Sequence, residues 1–172
     1  RGEVLMRHMS TRICGQGHNA LPKTRIAVGV HPHEAKAFDG AEEARLRELL
    51  HDVRVSAVGE IGLDYHYDLS PRPVQKDAFR RQVRLAKEAA LPVILHVREA
   101  HDDAFAIMQE EGWPDAGTLL HCYTSDADEI GRWVDAGCYV AFGGAFTFKK
   151  LADVREAARL VPANRLLTET DA

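Results

Sequence analysis

The stretch VSAVGEIGLDYHYD, Val55 to Asp68, begins like a buried strand and ends in ionisable side chains. Its first five residues are mostly apolar or small, which is typical of a strand that is covered on both faces. Glu60 follows directly, and Asp64 and His66 come shortly after it. We expect the side chain of Glu60 to project from the end of its strand toward the polar side chains at the ends of other strands. Asp64 and His66 are expected to fix the next loop by hydrogen bonds rather than to bind a metal.

Short apolar runs of the same kind recur along the chain and are separated by amphipathic segments. The runs are RIAVGV at 25–30, RVSAVG at 54–59, PVIL at 92–95, GTLL at 117–120, CYVAF at 138–142 and RLLT at 165–168. The segments between them space their apolar residues as helices do, and Ser125 is the predicted N-cap of one of them. This alternation predicts a parallel sheet covered by helices, either doubly wound or closed into a barrel.

The residues that end these runs distinguish the two arrangements. They are His31, Glu60, His96, His121, Gly143, Gly144 and Asp171. A barrel gathers the carboxyl ends of its strands on one face, whereas an open sheet spreads them along an edge too long for a single site. We therefore predict an α/β fold, a (β/α)8 TIM barrel that is incomplete, with about six of its eight strands present. Residues 25–172 form this partial barrel, and residues 1–24 stay unassigned because they contain no convincing strand or amphipathic helix.

Four of these residues have the chemistry of metal ligands. They are Glu60, His96, His121 and Asp171. Such a set suits zinc, manganese and, less well, magnesium, with one or two divalent ions per chain. A metal-bound water loses its proton near neutral pH and becomes a nucleophile, and a second carboxylate can take that proton. We assign this catalytic role to Asp171.

His31 and Arg98 are the predicted substrate-binding residues. His31 follows a predicted strand, and the spacing of Arg98 places it on the same side of the chain as His96. The guanidinium could clamp a phosphate, with pairing to Glu99 or Asp102 as the alternative.

Other polar residues have simpler interpretations. His33 is expected to be an ordinary loop residue, and Lys149 and Lys150 a solvated helix start. Cys122 stands beside His121, but adjacent strand residues point to opposite faces, which argues against a Cys–His nucleophile. The sequence has no glycine-rich phosphate loop and no GxSxG motif.

The composition is that of an ordinary globular domain. Of the 172 residues, 45% are hydrophobic and 28% are charged, which allows a sizeable core. The net charge of -4 gives no global basic field, although a local basic rim would remain compatible with a polynucleotide substrate. The three cysteines form no CxxC pair, which predicts a cytoplasmic location without disulfides or a cysteine zinc site. No apolar run is long enough for a membrane span.

The sequence resembles the TatD family of metal-dependent deoxyribonucleases in six motifs, in the same order and at similar spacing. They are GVHPHE, VGEIGLDYH, QKDAFRRQVRLAKEAALPVILHVREAHDD, LLHCYTSD, YVAFGGAFTFKK and LLTETDA, within residues 25–172. The resemblance implies a distorted TIM barrel that cleaves phosphodiester bonds in DNA, as an exonuclease, with a divalent ion. It also implies that Glu60, His96, His121 and Asp171 are the ligands, with Glu60 bridging two ions or serving one.

The chain departs from the family pattern at both ends. Family members open with a strand that carries a His-x-His pair, and they continue past the position of Ala172 into a closing helix. The chain therefore looks truncated, its first metal site is expected to be weak, and open strand edges are expected unless residues 1–24 cover one of them. Three functions stay open: a TatD-like DNase, a D-aminoacyl-tRNA deacylase or other ester or amide hydrolase, and a non-catalytic metal-binding fragment. No protein partner is predicted.

Overall fold

The computed structural model describes residues 7–10 and 24–171 of the chain. In these ranges seven strands form one sheet, in the order β1-β2-β3-β4-β5-β6-β7. The strands are β1 Arg7–Ser10, β2 Thr24–Val28, β3 Val55–Asp64, β4 Val93–Arg98, β5 Thr118–Leu120, β6 Tyr139–Phe142 and β7 Leu166–Thr168. The α-helices are α1 Gly40–Leu49, α2 Arg72–Glu88, α3 His101–Glu111, α4 Ala127–Asp135 and α5 Ala152–Leu160. Two 3₁₀ helices, Pro32–Ala37 and Gly144–Thr147, follow β2 and β6.

Strands β2 to β7 are parallel, and each pairs with its neighbours in the sequence. A doubly wound sheet reverses its strand order at a switch point, whereas a barrel adds each new strand on the same side of the last one. The observed order therefore confirms the prediction of a partial barrel with six parallel strands. The carboxyl ends of these strands all lie on one face.

The strand β1 lies within the segment that the sequence left unassigned, so the expectation that residues 1–24 contain no strand is wrong. Its backbone pairs antiparallel with β2, from Arg7 opposite Ala27 to Ser10 opposite Thr24. The unpaired backbone groups at the edge of β2 provide the physical reason, because they can pair with any segment that reaches them. Residues 1–6 and 11–23 lie outside the described residues, so the division of the chain at residue 24 stays a prediction.

Two strands extend further than the apolar runs predicted. β3 runs to Asp64 and β4 runs to Arg98, so Glu60 and His96 lie within strands rather than after them. The pairing continues because backbone hydrogen bonds do not depend on apolar side chains, and Gly62 lies opposite His96 in the register. The register of β3 against β4 shifts at Glu60, and such a bulge re-aims a side chain.

The main core fills the space between the sheet and the helices. Its largest fully buried side chains include Phe79 of α2, Met108 of α3 and Trp133 of α4. A separate small cluster contains Ala57 of β3 and Ile94 of β4. The helices pack one face against the sheet, and a membrane-spanning helix is not found in the described ranges.

Helix α4 begins one residue later than the predicted cap would place it. The carboxylate of Asp126, rather than the hydroxyl of Ser125, accepts the backbone N–H groups of Asp128 and Glu129. An aspartate caps a helix as well as a serine does, and its charge also suits the positive end of the helix dipole.

The buried residue His101 predicts a loss of stability in acid. Its side chain is 9% exposed and lies against Tyr123 and Trp133, with ring centroids 5.7 and 5.9 Å apart. Burial, assisted by the positive charge of Arg132, lowers the pKa of His101 to about 4. The unfolded histidine titrates at about 6.5, so the unfolded chain takes up the proton first. Stability is therefore expected to fall by about 3 kcal/mol as the pH is lowered from about 6.5 to about 4.

The variant His101→Phe should lose this part of the pH dependence, because it keeps a buried ring that cannot be protonated. Urea unfolding of the variant and the wild type at pH 7 and pH 4.5 measures the difference. The same change at the exposed residue His51 is the control and should keep the wild-type pH dependence. Equal pH dependence in His101→Phe and the wild type would contradict the prediction.

Candidate metal centre

Glu60 lies between two histidines near the carboxyl end of the sheet. Its Oε2 is 4.0 Å from Nδ1 of His96, and its Oε1 is 3.6 Å from Nε2 of His121. Two atoms that bind one zinc ion are each about 2 Å from it, and therefore lie about 3 to 4 Å from one another. The structure thus brings Glu60 within a ligand spacing of both imidazoles.

The strands explain why these side chains meet. His96 and Arg98 follow Ile94 at alternate positions of β4, so all three lie on the same face of the sheet. His121 is the first residue after β5, and its backbone N–H donates to the carbonyl of Leu95 in β4 at 2.9 Å. This bond holds the end of β5 beside the strand that carries His96.

Asp171, the predicted catalytic residue, approaches the same cluster from beyond β7. Its Oδ1 lies 3.3 Å from Nε2 of His121, and its side chain is 40% exposed. The carboxylate therefore lies beside His121 and also has access to solvent. A group in this position can exchange protons between the site and water.

Glu169 is a site residue that the sequence interpretation missed. Its Oε2 is 2.5 Å from Nδ1 of His121, and its Oε1 accepts the backbone N–H of Cys122 at 2.5 Å. The available signal was the alternate spacing of Glu169 and Asp171 in TETD, which places two carboxylates on one side of an extended chain.

The charges around His121 favour a bound cation. Because Nδ1 donates to Glu169, a neutral ring presents the lone pair of Nε2 toward the carboxylates of Glu60 and Asp171. Burial lowers the pKa of His121, but the bond to Glu169 and the charges of Glu60 and Asp171 outweigh it and raise the pKa above its usual value. Acceptor atoms that converge in this way fit a metal ion, because a cation would relieve their mutual repulsion.

Asp64 contacts the ring nitrogen of His96 that does not face Glu60. Its Oδ1 accepts the backbone N–H groups of His66 and Tyr67, which confirms the expectation that Asp64 fixes this loop. Its Oδ2 lies 2.9 Å from Nε2 of both His33 and His96, so the view of His33 as an ordinary loop residue is wrong. Burial opposes ionisation, but the bonds from the Tyr67 N–H and the two imidazoles hold the pKa of Asp64 at about 2.

A second possible group of ligands lies next to the group formed by Glu60, His96 and His121. His31, His33 and His96 each offer a ring nitrogen within 4.8 Å of the others. The ring of His31 lies 4.3 Å from that of His96, measured between centroids. The two groups share His96, but only the group around Glu60 includes a carboxylate ligand. Both groups are therefore candidates for a metal site, and the carboxylate of Glu60 would offset part of the charge of a divalent ion.

Arg98 lies two residues after His96 on β4. Its guanidinium stacks over the ring of Tyr67 at 4.9 Å from the centroid. The two acidic residues considered as its partners are engaged elsewhere, because Glu99 pairs with His66 and Asp102 pairs with Arg132.

The thiol of Cys122 is poorly suited to nucleophilic attack. Burial, together with the nearby charges of Asp171 and Glu169, raises the pKa of Cys122 to about 11. A thiol with this pKa is protonated at neutral pH and is a weak nucleophile. The reason expected from the sequence is wrong, because His121 and Cys122 both lie after β5 and the thiol is close to the same carboxylates as His121. The high pKa of the thiol is what argues against a Cys–His hydrolase.

A barrel-type parallel sheet with histidine and carboxylate side chains at the carboxyl ends of its strands is typical of metal-dependent hydrolases. The chain belongs to the TatD related DNase family, whose model matches residues 7–172. The resemblance seen in the sequence motifs is therefore confirmed.

Individual relatives agree with this membership. The uncharacterized metal-dependent hydrolase YabD of Bacillus subtilis is 41% identical over 145 residues, which cover 84% of this chain and 57% of YabD. The 3′-5′ ssDNA/RNA exonuclease TatD of Cronobacter sakazakii is 40% identical over 148 residues, which cover 84% of this chain and 56% of that protein. The crystal structure of YJJV, a TatD homologue from Escherichia coli K12, superposes with a TM-score of 0.79 at 32% identity and covers 85% of this chain and 57% of its own. The chain thus spans little more than half the length of these relatives.

Proposed function

We propose that this chain carries the catalytic centre of a metal-dependent nuclease that hydrolyses phosphodiester bonds in single-stranded DNA as an exonuclease. The observation that carries the proposal is the position of Glu60 between two imidazoles, each held by a carboxylate at its other ring nitrogen. Such carboxylate–histidine pairs are typical of metal-binding histidines. Nuclease activity is named for the relative from Cronobacter sakazakii, and supports a nucleic-acid substrate here.

The metal ligands in this proposal are Glu60, Nδ1 of His96 and Nε2 of His121, with Asp171 beside them. A divalent ion bound there would supply positive charge for the phosphate and would lower the pKa of a coordinated water. Zinc, manganese and magnesium are the candidate ions.

Three side chains of the site, those of Asp171, Arg98 and His31, act on the attacking water and the substrate phosphate. Oδ1 of Asp171 takes the proton of the attacking water and exchanges it with solvent, to which its side chain is partly exposed. The P–O bond to the leaving nucleotide breaks as the new one forms, and the departing oxygen takes a proton from solvent. Arg98 binds a substrate phosphate through its guanidinium, and His31 donates a hydrogen bond to the same group. The aromatic face of Tyr67 beneath Arg98 limits the positions that the guanidinium can take.

We also propose a cytoplasmic location. Cys122 and Cys138 are free thiols in the structure, which fits a reducing compartment.

Removal of the metal tests the function. The chain, freed of metal by EDTA, should release nucleotides from 3′-labelled single-stranded DNA at least about a hundredfold more slowly than after addition of Zn²⁺, Mn²⁺ or Mg²⁺. Metal analysis of the purified chain gives the identity and number of the ions. Bound metal without nucleotide release would favour a non-catalytic fragment, and activity only on aminoacyl esters would favour a deacylase.

A further inference from the structure

One buried carboxylate contacts two histidines of the site at once. Oδ2 of Asp64 lies 2.9 Å from Nε2 of His33 and 2.9 Å from Nε2 of His96. Oδ1 accepts the backbone N–H groups of His66 at 3.0 Å and Tyr67 at 2.8 Å. The side chain of Asp64 is fully buried, so water does not compete for these bonds.

These bonds decide which ring nitrogen each histidine presents to the site. A carboxylate accepts hydrogen bonds and cannot donate them, so both Nε2 atoms carry the proton, and in the neutral form of each ring Nδ1 carries the lone pair. In His96, Nδ1 is the nitrogen that faces Glu60. His121 is arranged in the opposite way, because its Nδ1 bonds to Glu169 and its Nε2 faces Glu60.

We propose that Asp64 is a positioning residue that sets the tautomers of His33 and His96 together, and so makes Nδ1 of His96 the atom that binds the cation. The inference rests on the proposed function for the identity of the ligand, and adds the residue that orients it. Because the same oxygen also holds His33, Asp64 ties the 3₁₀ helix after β2 to the metal ligand on β4. Loss of such an orienting carboxylate typically costs about 10- to 100-fold in metal affinity.

The variant Asp64→Asn gives a sharp test because it keeps the shape of the side chain and replaces one of the two accepting oxygens with a donating NH₂ group. The backbone N–H groups of His66 and Tyr67 can only donate, so the amide oxygen is expected to take the place of Oδ1. The amide NH₂ group then faces His33 and His96 and donates to both Nε2 atoms. Both rings should therefore change from the Nε2–H to the Nδ1–H tautomer, which blocks Nδ1 of His96.

Two measurements check this expectation. Nitrogen-15 NMR of the metal-free protein reads the tautomer of each histidine, and titration with Mn²⁺ gives the dissociation constant, which should rise about 10- to 100-fold in Asp64→Asn. Thermal melting of each protein shows whether the variant is folded.

The matched control is Glu169→Gln. Its amide oxygen should accept the N–H of Cys122, so its NH₂ group faces Nδ1 of His121 and converts that ring alone to the Nε2–H tautomer. His33 and His96 should keep their wild-type tautomers in this variant, and His121 should keep its own in Asp64→Asn. If Asp64 had a merely structural role, the two variants would not change the tautomers of different histidines in this way.

Unchanged tautomers at His33 and His96 in Asp64→Asn, or Mn²⁺ binding as tight as in the wild type, would overturn the proposal. If Asp64→Asn does not fold, the wild-type spectrum decides: slowly exchanging Nε2–H protons on both rings support the proposal, and an Nδ1–H proton on either ring overturns it. A wild-type chain that binds no Mn²⁺ would count against the proposed function instead, while the tautomers would still decide the role of Asp64.

Discussion

Substitution of Glu60 by alanine is expected to abolish metal-dependent hydrolysis. Glu60 approaches both His96 and His121 with its two oxygens, so its loss removes a negative charge from the proposed ligand set and leaves the two imidazoles. Cation binding should weaken by more than the 10- to 100-fold typical of an orienting residue. The fold should survive, because the carboxylate is not part of the hydrophobic core.

Calorimetric titration with Mn²⁺ and nucleotide release from labelled single-stranded DNA measure these effects in Glu60→Ala. The matched control is Glu110→Ala, on helix α3 away from the site, where the carboxylate is 59% exposed and pairs with Arg80. The control should bind metal and turn over as the wild type does. Wild-type turnover in Glu60→Ala would refute the role assigned to Glu60.

Gly62→Ala is expected to destabilise the protein severely and to disturb the metal centre. Gly62 has a φ of +140°, and a Cβ there would stand 2.1 Å from the carbonyl oxygen of His96. The obstacle is the backbone of β4, so no side-chain movement can relieve the clash. Strained backbone and overpacking each cost about 1 to 3 kcal/mol, and together they approach the whole stability of a marginal domain. Because Gly62 pairs with His96, any relief must move a proposed metal ligand.

Gly131→Ala is the control for this substitution. Gly131 lies in helix α4, and nothing stands within 4 Å of a Cβ built on it, so alanine should stabilise the protein by about 0.5 to 1 kcal/mol. Urea unfolding of the two variants, with metal titration, should therefore show changes of opposite sign in stability. A Gly62→Ala protein as stable as the wild type would mean that β3 and β4 are not this close in solution.

The sequence by itself predicted the partial barrel and predicted that Glu60, His96 and His121 lie at one end of it. Both predictions rest on local patterns: apolar runs that alternate with amphipathic segments, and polar residues near the carboxyl ends of those runs. The six parallel strands and the distances around Glu60 agree with these predictions. The strand ends were less accurate, because backbone pairing carries β3 to Asp64 and β4 to Arg98 beyond the apolar residues.

Only the tertiary structure revealed the carboxylates that hold His96 and His121. Asp64 reaches His96 across 32 residues and Glu169 reaches His121 across 48. Neither pair has a signature in sequence spacing, because a hydrogen bond between two strands depends on their register and on the rotamers of both side chains. The antiparallel pairing of β1 with β2 depends in the same way on which segment reaches an open edge. Local composition therefore determined which residues could bind a metal, whereas the packing of distant strands decided that Nδ1 of His96 and Nε2 of His121 face Glu60.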